Sequence, residues 1–375
     1  MSTAPDSRDT VFPAAVSHRL HGIFFDLWRF GSHALVGWRP SRLGIEIITV
    51  PKVRLFAGHG QHLPAFSEGG LMDGAALDDA ARMLDVQPVE LRLDRPIGTG
   101  PDEIPPALVA QAFRLFTVTK TLHRAVLLLD IAGFSKATPE QQAAQLTSLE
   151  FSLNLAEEMA RAHGLGVSFR RTTTGDGFYV WNERTGLRAD IDFFCAVAIF
   201  QILFAALRRT ATEPAAVPAL RLCLSIGSHF LYHQPRKDGS DGGTFIVGDV
   251  TIQVARLIGT ALPEQILVGD FRRPLGLGHS HCDSETFLTA VSERLAALSD
   301  LRVLGYRIDR IGFYLTGPRA ADGGHRPALI TITDKHGFEH RCYNAKLNAF
   351  AEQGEPYYCG LQHGDLAPQA AWPAA

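Results

Sequence analysis

The chain has 375 residues, 46% of them apolar and 20% charged, with a formal net charge of −3. This length can bury the cores of two or three structural units, and the composition is that of a globular chain, not a fibrous or disordered one. With no basic arm or tail it does not advertise nucleic acid as a partner, and five scattered cysteines (Cys195, Cys223, Cys282, Cys342 and Cys359) with no CxxC pair exclude a disulfide framework or zinc ribbon and point to a reducing cytoplasm.

Met1 to Thr10 is polar and has no apolar stretch of the kind that marks a secretory signal. Residues 1–118 form a first region in which no motif carries chemistry; packing, dimer formation or regulation is its expected role. Residues 44–50 (GIEIITV) and 52–56 read as strands and 75–84 as a short helix. Residues 98–106 (GTGPDEIPP) read as a linker, because five of the positions are Gly or Pro.

Residues 119–275 carry a more regular pattern. The run 125–129 (AVLLL) ends in Asp130 and has the continuous apolar character of a strand buried on both faces. After the turn Ile131-Ala132-Gly133-Phe134-Ser135 a helix is predicted. Thr138 is its N-cap, Pro139 its first residue and Gln141 the partner in a capping box, and His163-Gly164 ends it. Residues 167–173 and 178–181 form a hairpin with Gly175-Asp176-Gly177 at its tip. A helix over 190–208, a strand over 220–226, a Gly-rich loop over 237–243, a strand over 244–247, a helix over 251–258 and a strand over 265–268 complete the region. The order begins strand, helix, strand, strand, helix, strand, so the expected class is α+β with a ferredoxin-like split βαβ core. The apolar stretch 191–207 falls short of the ~20 residues of a bilayer span. It also contains Asp192 and Gln201, so a buried helix is expected and not a membrane anchor.

From 276 to 375 the chain reads as a mixed α/β segment, either an extension or the completion of the central domain. A helix is predicted over 284–298 and strands over 328–333 and 340–343, with Asp334-Lys335-His336-Gly337 as the hairpin turn between the strands. The Ala- and Pro-rich tail from Gln362 is expected to fray. His229, His233, His279 and His281 have no metal-ligand spacing such as HExxH and read as surface or core residues. Lys335 has the reach to meet a triphosphate, although a plain hairpin tip is the favoured reading. Gly239, Gly242 and Gly243 are not followed by GKS or GKT, so no P-loop is present.

Asp130 and Asp176 are where chemistry concentrates. One ends a buried strand and the other tips the next hairpin; in a split βαβ sheet the first and third strands are neighbours, so both carboxylates can converge. Two close carboxylates repel unless a cation or shared proton neutralises them. A small set of hard oxygen ligands suits Mg²⁺ or Mn²⁺ that also holds substrate phosphates. The Gly133 turn offers backbone N–H groups to a phosphate. Taken alone, each aspartate is an ordinary turn former.

The string LLLDIAGFS (127–135) resembles the F-x-D-[IV]-x-G-F-[ST] signature of class III adenylyl and guanylyl cyclases, and TTGDGFYV (173–180) resembles that family's second hairpin motif. The two aspartates are 46 residues apart, close to the family's usual spacing. IVGDVTIQVARL (246–257) is similar to the family's W-G-[ND]-x-V-N-x-A-x-R helix, and Ile226-Gly227-Ser228-His229 to its I-G-x-H segment. The resemblance implies that Asp130, Asp176 and the Ile131 carbonyl hold two divalent ions, Mg²⁺ or Mn²⁺. It implies that Arg256 stabilises charge on the transferring phosphorus, and that Gly133, Phe134 and Ser135 line the phosphates. The implied substrate is a nucleoside triphosphate, and the implied product a 3′,5′-cyclic nucleotide. Because the chain holds one set of motifs, the resemblance also implies a head-to-tail homodimer in which arginine and aspartates come from different subunits.

Three positions depart from the family pattern. The transition-state asparagine falls on Ile252; Gln253 beside it is the candidate substitute and substrate-binding residue after a small helix adjustment, although it should face about 100° away. The base-selecting positions fall on Thr172 and Phe245, where charged or small polar readers are usual. Two functions follow: a cyclase of non-standard base preference, or a catalytically inactive cyclase-homology domain that binds nucleotide or dimerises. Another phosphotransfer on the same fold, such as cyclic dinucleotide synthesis, ranks last because the GGDEF-type hairpin is absent.

Overall fold

The computed structural model describes residues 7–55, 70–275, 280–318, 326–334 and 336–366. The chain divides into two compact units, Met1–Thr121 with Phe230–Val247, and Leu122–His229 with Gly248–Ala375.

The first unit opens with α1 (Ser7–Trp28), followed by β1 (His33–Pro40), β2 (Gly44–Pro51), the one-turn α2 (Lys52–Arg54), α3 (Gly74–Leu84), β3 (Val89–Arg92) and α4 (Pro106–Arg114). The three strands form an antiparallel sheet in chain order. Alternate residues enter different cores. Leu35, Trp38, Ile45 and Ile47 pack with Leu20, Phe24, Phe113 and Phe116 from α1, α4 and the segment after α4. Ala34, Val36, Ile48 and Val50 pack with Leu77, Ala81 and Leu84 of α3. Cover on both faces accounts for the mainly apolar character of β1 and β2.

Two expectations for this region are corrected. Residues 52–54 are helical, not extended, because Pro51 ends the ladder of β2 and serves as the residue before the turn; Phe56 lies outside the described residues. The expected linker is an ordered loop, in which Ile97 bridges Ile104, Gly98 N–H donates to the Ile104 carbonyl at 3.0 Å and Glu103 accepts the Gly100 N–H at 2.6 Å.

β4 (Val118–Ile131) leads into the second unit, which continues with α5 (Pro139–Ala162), β5 (Phe169–Thr173), β6 (Gly177–Asn182), α6 (Leu187–Thr210) and β7 (Leu220–Pro235). The outer part of β7 pairs with β8 (Asp241–Val247) within the first unit. Then come α7 (Asp249–Ile258), β9 (Ile266–Gly269), β10 (Arg272–Pro274), β11 (His281–Asp283), α8 (Ser284–Ala296), β12 (Arg302–Val303), β13 (Tyr306–Leu315), β14 (Leu329–Thr333), β15 (Glu339–Ala351) and β16 (Tyr357–Cys359). The main sheet runs β12-β13-β15-β9-β7-β4-β6-β5, with β14 and β16 also paired to β15. The mixed α/β class holds. β15 pairs directly with β9, Cys342 opposite Gly269, so the C-terminal segment shares the sheet of the central region and residue 276 is not a boundary between units.

Local signals explain the helices that frame this sheet. Thr138 and Gln141 form the reciprocal capping box of α5, and His163 is its C-cap. α6 is buried along most of its length, continuously from Asp192 to Phe200, as expected of a core helix. It shares one core with Ala125, Leu127, Leu129 and Ile131 of β4, with Leu149 and Leu153 of α5 and with Phe287 of α8. Val126 and Leu128 are buried on the opposite face.

α6 also carries a buried acid. Asp190 accepts the Ala125 N–H at 2.8 Å and Arg273 Nε at 2.8 Å. Burial pushes the Asp190 pKa up, opposed by the Ala125 N–H and by Arg273. Removing one partner of such a pair leaves an uncompensated charge in the core, a loss of ~3–5 kcal/mol. Asp190→Ala should therefore lower the unfolding free energy measured in urea by that amount, and a variant within ~1 kcal/mol of wild type would show that the pair contributes little.

Candidate active site

β4 and β6 are antiparallel neighbours, with Leu128 opposite Tyr179 and Asp130 opposite Gly177. Beyond that last pair, Ile131 N–H donates to the Asp176 carbonyl at 2.9 Å, so the residues that end β4 and tip the hairpin are stitched together. The tip is closed by Thr174 N–H to the Gly177 carbonyl at 3.0 Å and by Gly175 N–H to Thr173 Oγ1 at 3.0 Å. Gly175 has φ +101°, where a side chain is strained. Gly177 is required for a different reason: a Cβ there would lie 1.9 Å from the Leu129 carbonyl oxygen. The glycines thus shape the loop that carries Asp176 and let it approach Asp130.

Asp130 is perturbed by its surroundings. Burial raises the Asp130 pKa most; Arg221 opposes it, and Asp176 adds to the rise. Arg221 stands at the start of β7 and donates from Nε to Asp130 Oδ2 at 2.7 Å, with a second contact through Nη2. Asp176 Oδ1 accepts the Thr174 hydroxyl at 3.3 Å. Strand alternation puts Asp130, Thr172, Tyr179 and Arg221 on the sheet face away from α5 and α6.

The turn after Asp130 is held by its own contacts. Ala132 N–H donates to the Ala219 carbonyl at 2.9 Å, Gly133 has φ +76°, and Phe134–Lys136 forms a single 3-10 turn whose Phe134 carbonyl accepts Gln142 Nε2 at 3.1 Å. Gly133 and Ser135 are exposed, and Phe134 packs partly against the core. α5 starts after this turn, so it is the 3-10 turn that follows Gly133 directly.

α7 lies over the same face as Asp130. Tyr179 Oη donates to the Thr251 carbonyl at 3.3 Å, and Ser225 Oγ donates to Gln253 Oε1 at 2.8 Å. Gln253 therefore points into the sheet, while Ile252 is 55% exposed. Arg256, one turn after Ile252 on the same helix face, pairs with Asp334 at 3.3 Å. Among the described residues, no ion pair or hydrogen bond joins Arg256 to Asp130 or Asp176. Phe245 belongs to the first unit, opposite Tyr232 in the β7–β8 ladder.

Arg221 and Asp334 escaped the sequence reading. For Arg221 a signal existed: alternation from buried Leu222 and Leu224 puts Arg221, Cys223 and Ser225 on the other face. For Asp334 only the turn was visible. Lys335 and His279 lie outside the described residues, and so does the tail from 367. His229 is buried, and its pKa is brought down to about 3 by burial and by Arg124, which it meets at 3.2 Å. His233 bonds Thr244 Oγ1 at 2.9 Å. Among the described residues, no cluster of three or more His, Cys, Asp or Glu could hold a metal ion.

No family model and no curated protein matches the chain. Several solved structures similar to it are nucleotide cyclases. The guanylyl cyclase Cya2 is 15% identical, aligned over 64% of this chain and 98% of that one, with a TM-score of 0.37. The guanylate cyclase domain of RhGC from Catenaria anguillulae, in complex with GTP, is 11% identical over 63% of this chain and 100% of that one, TM-score 0.37. The adenylyl cyclase CyaB from P. aeruginosa is 14% identical over 64% of this chain and 97% of that one, TM-score 0.35. At these values the functional assignment rests on the residues themselves.

Two predictions follow from the Asp130 pair. Its folded pKa is raised above the unfolded one, so ionising Asp130 costs stability. In chelator, stability should fall as the pH rises from the ordinary carboxylate range through the raised value. Asp130→Asn should remove that component in pH-dependent denaturation; an unchanged pH slope would contradict it. Gly177→Ala should cost ~1–3 kcal/mol or more through the clash with Leu129, read as a lower unfolding midpoint.

Proposed function

We propose that the chain is a class III-like nucleotidyl cyclase with a split βαβ catalytic core, converting a nucleoside triphosphate to a 3′,5′-cyclic nucleotide and pyrophosphate. The observation that carries this reading is the paired ends of β4 and β6, with Asp130 against Gly177 and Ile131 N–H on the Asp176 carbonyl. The strand order β7-β4-β6-β5, with α5 and α6 as the connections, supports the core assignment.

The donor set fits Mg²⁺ or Mn²⁺. Two carboxylates lie close enough to raise the Asp130 pKa, and Arg221 relieves only part of that charge. Hard oxygen donors in small number, left for substrate phosphates to complete, suit these ions. Asp130, Asp176 and the Ile131 carbonyl would hold two of them. When bound, they would activate the ribose 3′-hydroxyl and neutralise the leaving pyrophosphate.

In the reaction the 3′-oxygen forms a bond to the α-phosphorus, the bond from that phosphorus to the pyrophosphate oxygen breaks, and the hydroxyl proton passes to solvent. Gly133, Phe134 and Ser135 would border the phosphates. Arg256 would meet the charge that develops on the α-phosphoryl oxygens. A head-to-tail homodimer, with arginine and aspartates from different copies, would complete each site. Thr172 would replace a charged base reader with a small hydroxyl, giving a base preference outside the adenine and guanine patterns. The five cysteines are buried and unpaired, which suits the cytoplasm.

A second reading is a nucleotide-binding module without turnover, favoured by the exposed Ile252 where a hydrogen-bond donor would be needed. The test is mass spectrometry of products from ATP, GTP, CTP and UTP, each with Mn²⁺ and with Mg²⁺. One dominant cyclic nucleotide is expected, lost in Asp130→Ala and Asp176→Ala. Ile252→Asn should raise turnover, by up to the ~10²-fold attributed to one well-placed donor. Binding of a triphosphate with no product under either metal would favour the second reading.

A further inference from the structure

Asp334 lies in the turn between β14 and β15. Its side chain is only 7% exposed. Oδ1 accepts N–H groups of His336 at 2.8 Å and Phe338 at 3.1 Å, while Oδ2 faces His340 Nε2 at 3.1 Å and Arg256 Nε at 3.3 Å. The turn closes further through Asp334 N–H to the Phe338 carbonyl at 2.9 Å. The carboxylate is thus placed by its own loop, independently of the arginine. Burial works to raise its pKa, but the His340 hydrogen bond, the two N–H donors and Arg256 outweigh this and bring it down to about 2. It is therefore a permanent anion at neutral pH.

The closest approach of Arg256 to Asp334 is through Nε, the inner edge of the guanidinium. A guanidinium carries its donors in a planar fork, and fixing the inner edge orients the terminal one. This contact is an ion pair; Arg256 makes no other ion pair among the described residues, and its side chain is 35% exposed. An arginine left to itself at a helix end would sample many rotamers, and catalysis by charge complementarity depends on orientation set in advance.

We infer that Asp334 is a positioning residue for Arg256, holding the guanidinium so that its terminal edge faces the transferring phosphoryl group. This rests on the proposed role of Arg256 as the clamp in a nucleotidyl transfer. The competing arrangement is a latch, in which Asp334 competes with substrate for Arg256.

Asp334→Asn separates these outcomes. Asparagine keeps an oxygen for the His336 and Phe338 N–H groups but loses the charge. With the full-length protein and its best triphosphate, kcat should fall about 10- to 100-fold while KM changes little, as for a misplaced catalytic group. Arg256→Ala should fall further, and the double variant should be no slower than Arg256→Ala alone. The second readout needs no turnover: the Arg256 ¹⁵Nε–¹Hε signal of the nucleotide-free protein, assigned by its loss in Arg256→Ala. It should move to the position of a solvent-exposed arginine in Asp334→Asn, a variant that should still unfold cooperatively though at a lower midpoint. Faster turnover in Asp334→Asn, additive losses in the double variant, or an unmoved Nε signal would each overturn the inference. If the wild-type protein turns over none of the four triphosphates, the cyclase reading falls, and the Nε signal alone decides whether Asp334 orients Arg256.

Discussion

The antiparallel pairing of β4 with β6 is the constraint on which the rest of the candidate site depends. It brings the Leu129 carbonyl so close to Gly177 that no Cβ fits between them, and it leaves Asp130 and Asp176 at the same end of the sheet. Helices on one face bury Leu127, Leu129 and Ile131, so a slip by one residue would drive Asp130 into the core and Leu129 toward the site. The apolar alternation that stabilises the strand is therefore what aims its acid.

Gathering charge in this way has a cost that the structure offsets in pieces. Asp130 is desolvated beside a second carboxylate, and Arg221 supplies one positive partner. Arg256 is balanced in turn by Asp334, itself fixed by N–H donors and His340. Deeper in the same unit Asp190 is matched by Arg273 and a backbone N–H. Each buried acid has a defined basic partner, as the expense of an unpaired buried charge requires.

The first unit contains the hairpin that carries Phe245. His21 Nε2 meets the Arg236 carbonyl at 2.6 Å and its ring lies tilted against Phe116, centroids 4.9 Å apart. Lys52 Nζ lies 4.4 Å from the Tyr232 ring and 5.2 Å from the Trp28 ring. These contacts tie the hairpin to α1 and α2.

Much of this was readable from the residues in order. The capping box at Thr138 and Gln141, the apolar run into Asp130 and the Gly-Asp-Gly tip are local signals, and local sterics and hydrogen bonds suffice to realise them. α1 was hidden because Pro13 and Gly22 interrupt its pattern. Residues 241–243 read as loop yet belong to β8, because β7 continues far enough for Pro235 to pair with Asp241. What only the tertiary structure decided are the partnerships across long stretches of chain. Arg221 reaches Asp130 from 91 residues away, Asp334 meets Arg256 and Gln253 turns onto Ser225. Sequence by itself determined which residues could carry charge to the ends of strands. Which charge meets which depends on how those strands stack side by side, and that ordering comes from burial summed over the whole sheet, not from any local motif.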